Sequence, residues 1–169
     1  GKSSTSLNLA LSFAQSGMRV VLIEADMRRP KITEYLGFEK GAKGLSDLLS
    51  SSSVVTEEEI KKVMVHKEEE NIDFIPSGQI PPNPAELLDS SHLDELLELL
   101  RKNHDYILID CPPAIPVADA SIIATRVDGT VIIARAGVTH INQFHGVKES
   151  INNVDKLLLF NGRFCWDVP

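Results

Sequence analysis

Arg19-Val20-Val21-Leu22-Ile23, followed at once by Glu24-Ala25-Asp26-Met27-Arg28-Arg29-Pro30, is a continuous aliphatic run that breaks into acids and then arginines. A short apolar run without polar alternation is the pattern of a strand buried on both faces of a parallel sheet. Upstream, Leu7, Leu9, Ala10, Leu11, Phe13 and Ala14 fall largely on helical spacing and Gly17 supplies a stop, which predicts a helix over 3–16. Downstream, residues 31–53 read as loop with a short amphipathic piece at 45–49 and a closing four-serine tract. Thr56 with Glu59 is a capping box that predicts a helix over 57–65. A second strand is expected at 72–75, ending before Pro76, and the proline-rich stretch 78–84 excludes helix interior and central strand. Ser91 with Asp94 offers a cap for the stripe Leu93, Leu96, Leu97, Leu99 and Leu100, which extends to residue 103. Tyr106-Ile107-Leu108-Ile109 is a third strand, ending at Asp110. A helix over 117–127, a strand over 129–134, a polar helix over 139–154 and an apolar run at 157–160 complete the alternation. Strands alternating with helices imply right-handed crossovers: an α/β fold with a mostly parallel central sheet and helices on both faces, in one domain without internal repeat or linker.

Composition narrows the function classes. With 17 basic and 24 acidic residues the chain carries a net charge of −7, which argues against general affinity for nucleic acid or anionic lipid. No window approaches about 18 uninterrupted apolar residues, the length a membrane span requires. Cys111 and Cys165 are too few for a disulfide framework and point to a reducing, cytosolic setting, with Cys111 expected as a small buried residue. His66, His92, His104, His140 and His145 lack mutual metal-ligand spacing and read as surface or core residues.

Gly1-Lys2-Ser3 at a helix start matches the end of the phosphate-loop pattern G-x-x-x-x-G-K-[ST]. Helix N-terminal amides and a lysine neutralise phosphate, and the serine hydroxyl suits Mg²⁺. Asp26 and Asp110 each stand at the end of an apolar strand, and ligands of open parallel sheets bind at those carboxyl ends. Two acids beside a polyphosphate repel it unless a cation lies between, so Mg²⁺ is implied, held by Ser3 and at least one carboxylate. The bland readings stand beside this one. A strand-end carboxylate also serves as a turn or cap residue, and Arg28 and Arg29 either clamp phosphate or substrate or form solvated surface pairs.

Three motifs in order resemble the bacterial tyrosine kinase (BY-kinase) family of capsular and exopolysaccharide biosynthesis. Residues 1–10 resemble the end of its Walker A motif and the following helix, residues 21–30 its Walker A′ motif, and residues 106–113 its Walker B motif. Residues 78–88 resemble a proline-rich segment typical of these kinases. With Asp26-Met27-Arg28-Arg29-Pro30, that segment separates them from the related septum-positioning and plasmid-partition ATPases. The resemblance covers residues 1–161, read as a P-loop tyrosine-kinase domain lacking its N-terminal strand and the first part of the P-loop, with 162–169 as an atypical tail. It implies an ATP- and Mg²⁺-dependent tyrosine autokinase. Gly1, Lys2, Ser3 and Ser4 would bind nucleotide, Lys2 at the β/γ-phosphates, Ser3 also at Mg²⁺ and Ser4 at the α-phosphate, while Asn161 would lie near the base. Asp26 would support the metal and the incoming tyrosine hydroxyl beside Arg28, and Glu24 and Asp110 would complete the metal set. The partners implied are a membrane polysaccharide co-polymerase that activates the kinase, neighbouring copies in a ring, and a phosphatase, with the protein cytoplasmic at the inner face of the membrane through a partner or a missing segment.

Three features depart from the family pattern. Glu24 stands where the family usually has the first Asp of the A′ motif, which moves the charge by about one bond length. The tyrosine-rich tail is missing, since Tyr35 and Tyr106 are the only tyrosines, and residues 161–169 do not follow the family. Without the preceding strand the neighbouring strands lose ladder partners, so the isolated polypeptide is expected to fold weakly and bind ATP poorly. The alternatives to a kinase are an ATP-dependent switch that controls a membrane partner with little tyrosine transfer, and a fragment of a degraded gene.

Overall fold

A computed structural model of the chain describes residues 1–39, 41–113, 119–134, 139, 142 and 146, together with the backbone of 157–161 and 164–167. The chain divides into two compact units, Lys2–Pro112, and Gly1 with Pro113–Pro169. In the first, α1 (Lys2–Gln15) leads through Gly17, whose positive φ of 82° ends the helix, into β1 (Val20–Glu24). Then follow α2 (Ile32–Tyr35), α3 (Leu45–Leu49), α4 (Glu57–Val63), β2 (Val65–Lys67), β3 (Ile72–Ile75), α5 (Pro84–Leu88), α6 (Ser91–Arg101) and β4 (Tyr106–Asp110). These strands form one sheet in the order β2-β3-β1-β4, parallel between β3, β1 and β4 and antiparallel between β2 and β3. The second unit holds α7 (Asp119–Ala124) and a sheet in which β5 (Thr130–Ala134) pairs in parallel with β6 (Leu157–Asn161), and β6 antiparallel with β7 (Phe164–Asp167).

The expected double coverage of the first strand holds: all five residues of β1 are buried. Val20 and Leu22 point with Ile72, Phe74 and Leu108 into a core closed by Ala10 and Ala14 of α1 and Ile32 of α2. Val21 and Ile23, equally buried, alternate to the opposite face. There α6 lies against β4 and packs on α3 and α5. The leucine stripe closes this layer through Leu93, Leu96, Leu97 and Leu100, each contributing roughly 2 kcal/mol on burial. β4 is less covered. It ladders with β1 alone among the described residues, and Tyr106, 41% exposed, stacks on Phe13 at 4.3 Å between ring centroids.

Several local expectations change. The helix capped by Thr56 and Glu59 forms as read but stops at Val63, because Val65-His66-Lys67 pairs with β3 as an exposed edge strand. Its lack of apolar character hid it. Ser90, not Ser91, precedes α6, and its hydroxyl is spent on the Leu87 carbonyl at 2.6 Å, so the Ser91–Asp94 cap does not form. Pro84 opens α5 at a first-turn position that needs no N–H donor. Part of the stretch 31–53 coils into α2. Cys111 is half-buried rather than buried, and within the stretch read as an atypical tail Phe164–Asp167 forms a strand antiparallel to β6. The helix expected at 117–127 spans 119–124 with residues 117 and 118 outside the described residues, where most of the expected helix at 139–154 also lies.

Backbone contact fixes the chain at the carboxyl end of β3. The Leu45 and Ser46 N–H groups at the start of α3 donate to the Pro76 and Ser77 carbonyls at 2.8 and 3.0 Å. That approach leaves room only for glycine at 44, since a Cβ there would meet the Pro76 oxygen at 2.2 Å.

The opposite end of this sheet carries a charged cluster. Asp73 of β3 bridges two imidazoles: His66 Nδ1 lies 2.8 Å from Oδ1 and His104 Nε2 2.8 Å from Oδ2. His104 Nδ1 also lies 3.0 Å from the Leu100 carbonyl, at the end of α6. His104, then His66, hold the Asp73 carboxyl below its ordinary value of 3.8. Next to it the Arg19 side chain and backbone N–H push Asp105 down to about 2. Carboxyls depressed in the folded state contribute stability that is present above the unfolded value and lost as pH falls through the folded one. Thermal melts are therefore expected to show stability falling as pH drops below about 4, with Asp73→Asn flattening part of that acid limb. An unchanged limb in that variant removes Asp73 from the linkage.

Candidate active site

The parallel ladder between β1 and β4 places Glu24 opposite Asp110, and it continues one step further through the Ala25 N–H, which donates to the Asp110 carbonyl at 2.8 Å. Ladder partners in parallel strands share a face, so two carboxylates start side by side on the face covered by α1 and α2. Each is neutralised by a different helix.

Asp110 belongs to α1. Its Oδ1 accepts from Lys2 Nζ at 2.9 Å and from Ser6 Oγ at 2.9 Å, while Lys2 Nζ lies 3.5 Å from Ser3 Oγ. The Asp110 side chain is 1% exposed and that of Lys2 30%, so the ammonium alone reaches solvent. Asp110 Oδ2 is buried and has no hydrogen-bond partner. A buried carboxylate oxygen without a donor is costly unless a cation or ordered water completes it. This oxygen, beside a serine hydroxyl and a lysine, fits a hard divalent cation.

Glu24 belongs to α2 and is fully buried. Its Oε1 accepts the Lys31 and Ile32 N–H groups, both at 2.5 Å, the Thr33 N–H is shared between its two oxygens, and Oε2 also accepts the Thr33 hydroxyl. These are the orphan donors of a helix start, satisfied by a carboxylate from the neighbouring strand. Glu24, expected from the sequence among the metal ligands, has both oxygens engaged by donors at the start of α2 in this structure.

Asp26 follows in a tight turn closed by the Met27 N–H on the Ala25 carbonyl at 2.9 Å. Its Oδ1 accepts the Arg29 N–H at 3.0 Å, and the residue is 7% exposed. Arg28 lies exposed in the same turn. Lys2 thus reaches both Ser3 and Asp110, with Asp26 one residue beyond the last β1–β4 hydrogen bond. Ser4 is half-buried on α1. Asn161 is a β6 residue whose side chain lies outside the described residues, and Gly1 is exposed ahead of α1. Ser6 escaped the sequence reading, although its place four residues after Lys2, one turn along the same helix face, was available as a signal.

A family model described as an AAA domain matches residues 1–160. The tyrosine-protein kinase CpsD of Streptococcus pneumoniae serotype 4 is 31% identical over 159 residues, covering 94% of this chain and 68% of the relative. The chain belongs to the BY-kinase family. Another member, the tyrosine-protein kinase YwqD of Bacillus subtilis, is 37% identical over 159 residues, covering 94% of this chain and 65% of the relative. The BY-kinase chain described here therefore spans about two thirds of the length of these curated relatives. Among solved structures, the kinase domain of the Escherichia coli tyrosine kinase ETK superposes with a TM-score of 0.84 at 28% identity, covering 93% of this chain and 60% of that one. The P-loop fold expected from the motifs is the fold these BY-kinase domains share.

Proposed function

We propose that the protein is an ATP- and Mg²⁺-dependent tyrosine autokinase that regulates capsular or exopolysaccharide synthesis and export. The observation that carries this reading is the Lys2–Asp110 pair with its buried, unpartnered Oδ2, seated where β1 and β4 end and Asp26 begins the next turn. In this reading Lys2 leaves Asp110 for the β/γ-phosphates, and the amides at the start of α1 with Ser4 hold the rest of the nucleotide. Mg²⁺, held by Ser3 and Asp110 with Asp26 in support, supplies charge neutralisation between the phosphates and these carboxylates. Asp26, oriented by the Arg29 N–H, takes the proton of the incoming tyrosine hydroxyl, and Arg28 steadies the charge on the transferring group. Phosphoryl transfer asks little covalent chemistry of a protein, so positioning and charge do the work.

Among the described residues no helix is long and apolar enough to cross a membrane. Attachment to the inner face of the membrane is assigned to a polysaccharide co-polymerase partner or to a further segment of the protein, with ring assembly between copies and a phosphatase that resets the kinase. One relative, from Klebsiella pneumoniae, is described as a putative tyrosine-protein kinase in the cps region, which supports this setting.

The test uses the full-length protein with Mg-ATP, with and without its membrane partner. Lys2→Met is expected to lower the phosphotyrosine signal by about 1,000-fold, the scale on which loss of a transition-state charge partner acts. A signal that survives the substitution overturns the assignment. The Lys2–Asp110 pair also supports a second reading, because an ion pair broken by nucleotide is a two-state element. ATP-dependent self-association without phosphotyrosine selects that switch.

A further inference from the structure

We infer that Ser6 is the positioning residue that keeps Asp110 aligned for the metal once Lys2 has left it for phosphate. The inference rests on the functional reading above. Asp110 Oδ1 has two donors, the Lys2 ammonium and the Ser6 hydroxyl, both at 2.9 Å. The alternative acceptor of that hydroxyl, the Lys2 carbonyl, is further away at 3.3 Å. A hydroxyl has one proton to donate, and the shorter, charged acceptor takes it.

The two donors differ in what nucleotide does to them. Lys2 is the first residue of α1 and partly exposed, so its ammonium is free to follow an anion. Ser6 is one turn into the helix, and its short side chain reaches no phosphate-bearing group from there. When Lys2 leaves, a carboxylate with neither donor rotates about χ2 and presents either oxygen. With Ser6 in place Oδ1 stays engaged, and Oδ2, the buried oxygen without a donor, remains the one offered to the cation. Ser6 touches neither nucleotide nor metal and acts only through Asp110. Residues that orient metal-binding carboxylates in this way commonly govern metal affinity without contributing a ligand.

The experiment measures binding of a fluorescent ADP analogue to the full-length protein, at fixed nucleotide, as Mg²⁺ is titrated. Ser6→Ala is expected to raise the Mg²⁺ concentration for half-maximal binding by roughly tenfold, to leave metal-free nucleotide binding unchanged, and to keep the thermal midpoint, since alanine is a better helix former. Ser6→Thr, which retains the hydroxyl, is expected to restore the wild-type Mg²⁺ requirement. A Ser6→Ala titration that overlays the wild type, or an equal loss with and without Mg²⁺, overturns the role of Ser6 and leaves the kinase reading standing. Wild-type protein that binds no nucleotide at any Mg²⁺ concentration overturns both.

Discussion

Replacing Glu24 with alanine is expected to destabilise the protein by about 3–5 kcal/mol, the cost of removing one partner from a buried charged network. The carboxylate is fully buried and accepts from three consecutive N–H groups, of Lys31, Ile32 and Thr33, and from the Thr33 hydroxyl. Of these donors, those of Ile32 and Thr33 are buried, while Lys31 is exposed. The loss falls on α2, whose Ile32 belongs to the same core as Leu22 and Phe74, so the damage spreads to the α1 face of the sheet. Glu24→Asp tests the reach of the side chain: one methylene shorter, it is expected to lose more than half of the same stability, and urea unfolding midpoints of the three proteins check both values. A shift below about 1 kcal/mol for the alanine variant removes Glu24 from this structural role. An altered Mg²⁺ requirement with unaltered stability returns it to the metal set.

Asp110→Asn carries the largest expected effect on binding, about a 100-fold loss of Mg-nucleotide affinity, the upper end of what even an outer-sphere partner of a metal costs. The substitution keeps an acceptor for Ser6 and the shape of the side chain while removing the charge that faces the cation. Lys2, 30% exposed, turns to solvent without leaving a buried charge behind. Metal-free nucleotide binding is expected to fall far less, because the asparagine no longer competes with phosphate for the ammonium. Glu69→Gln, an exposed change in the turn between β2 and β3, serves as the control. Equal affinities for the two variants take Asp110 out of the site. Isothermal titration with and without Mg²⁺ separates the two contributions.

Both predictions concern acids that look alike in the chain. Each ends an apolar strand, they are register partners across β1 and β4, and the spacing of apolar residues treats them identically. One reaches a helix start and is saturated by backbone donors; the other meets a lysine and a serine and keeps one oxygen unpartnered. Distances in space divide them, and those distances depend on where α1 and α2 land on the sheet. The same limit explains β2, whose pairing is decided by β3 rather than by its own residues, and Ser6, whose acceptor lies 104 positions away in sequence.

The chain's local patterns were sufficient for the rest. The run Val20–Ile23 carried its two-faced burial in its lack of polar residues, and Thr56 with Glu59 carried a helix start, because hydrophobic periodicity and capping are properties of neighbours along the backbone. Gly1-Lys2-Ser3 ahead of a helix and an acid after each of two strands likewise set the phosphate-site reading, since parallel topology sends those acids to one edge. Tertiary structure alone decided which acid is saturated by donors and which keeps a buried oxygen without one. A carboxylate's chemistry is set by the donors that reach it, and only folding determines which donors those are.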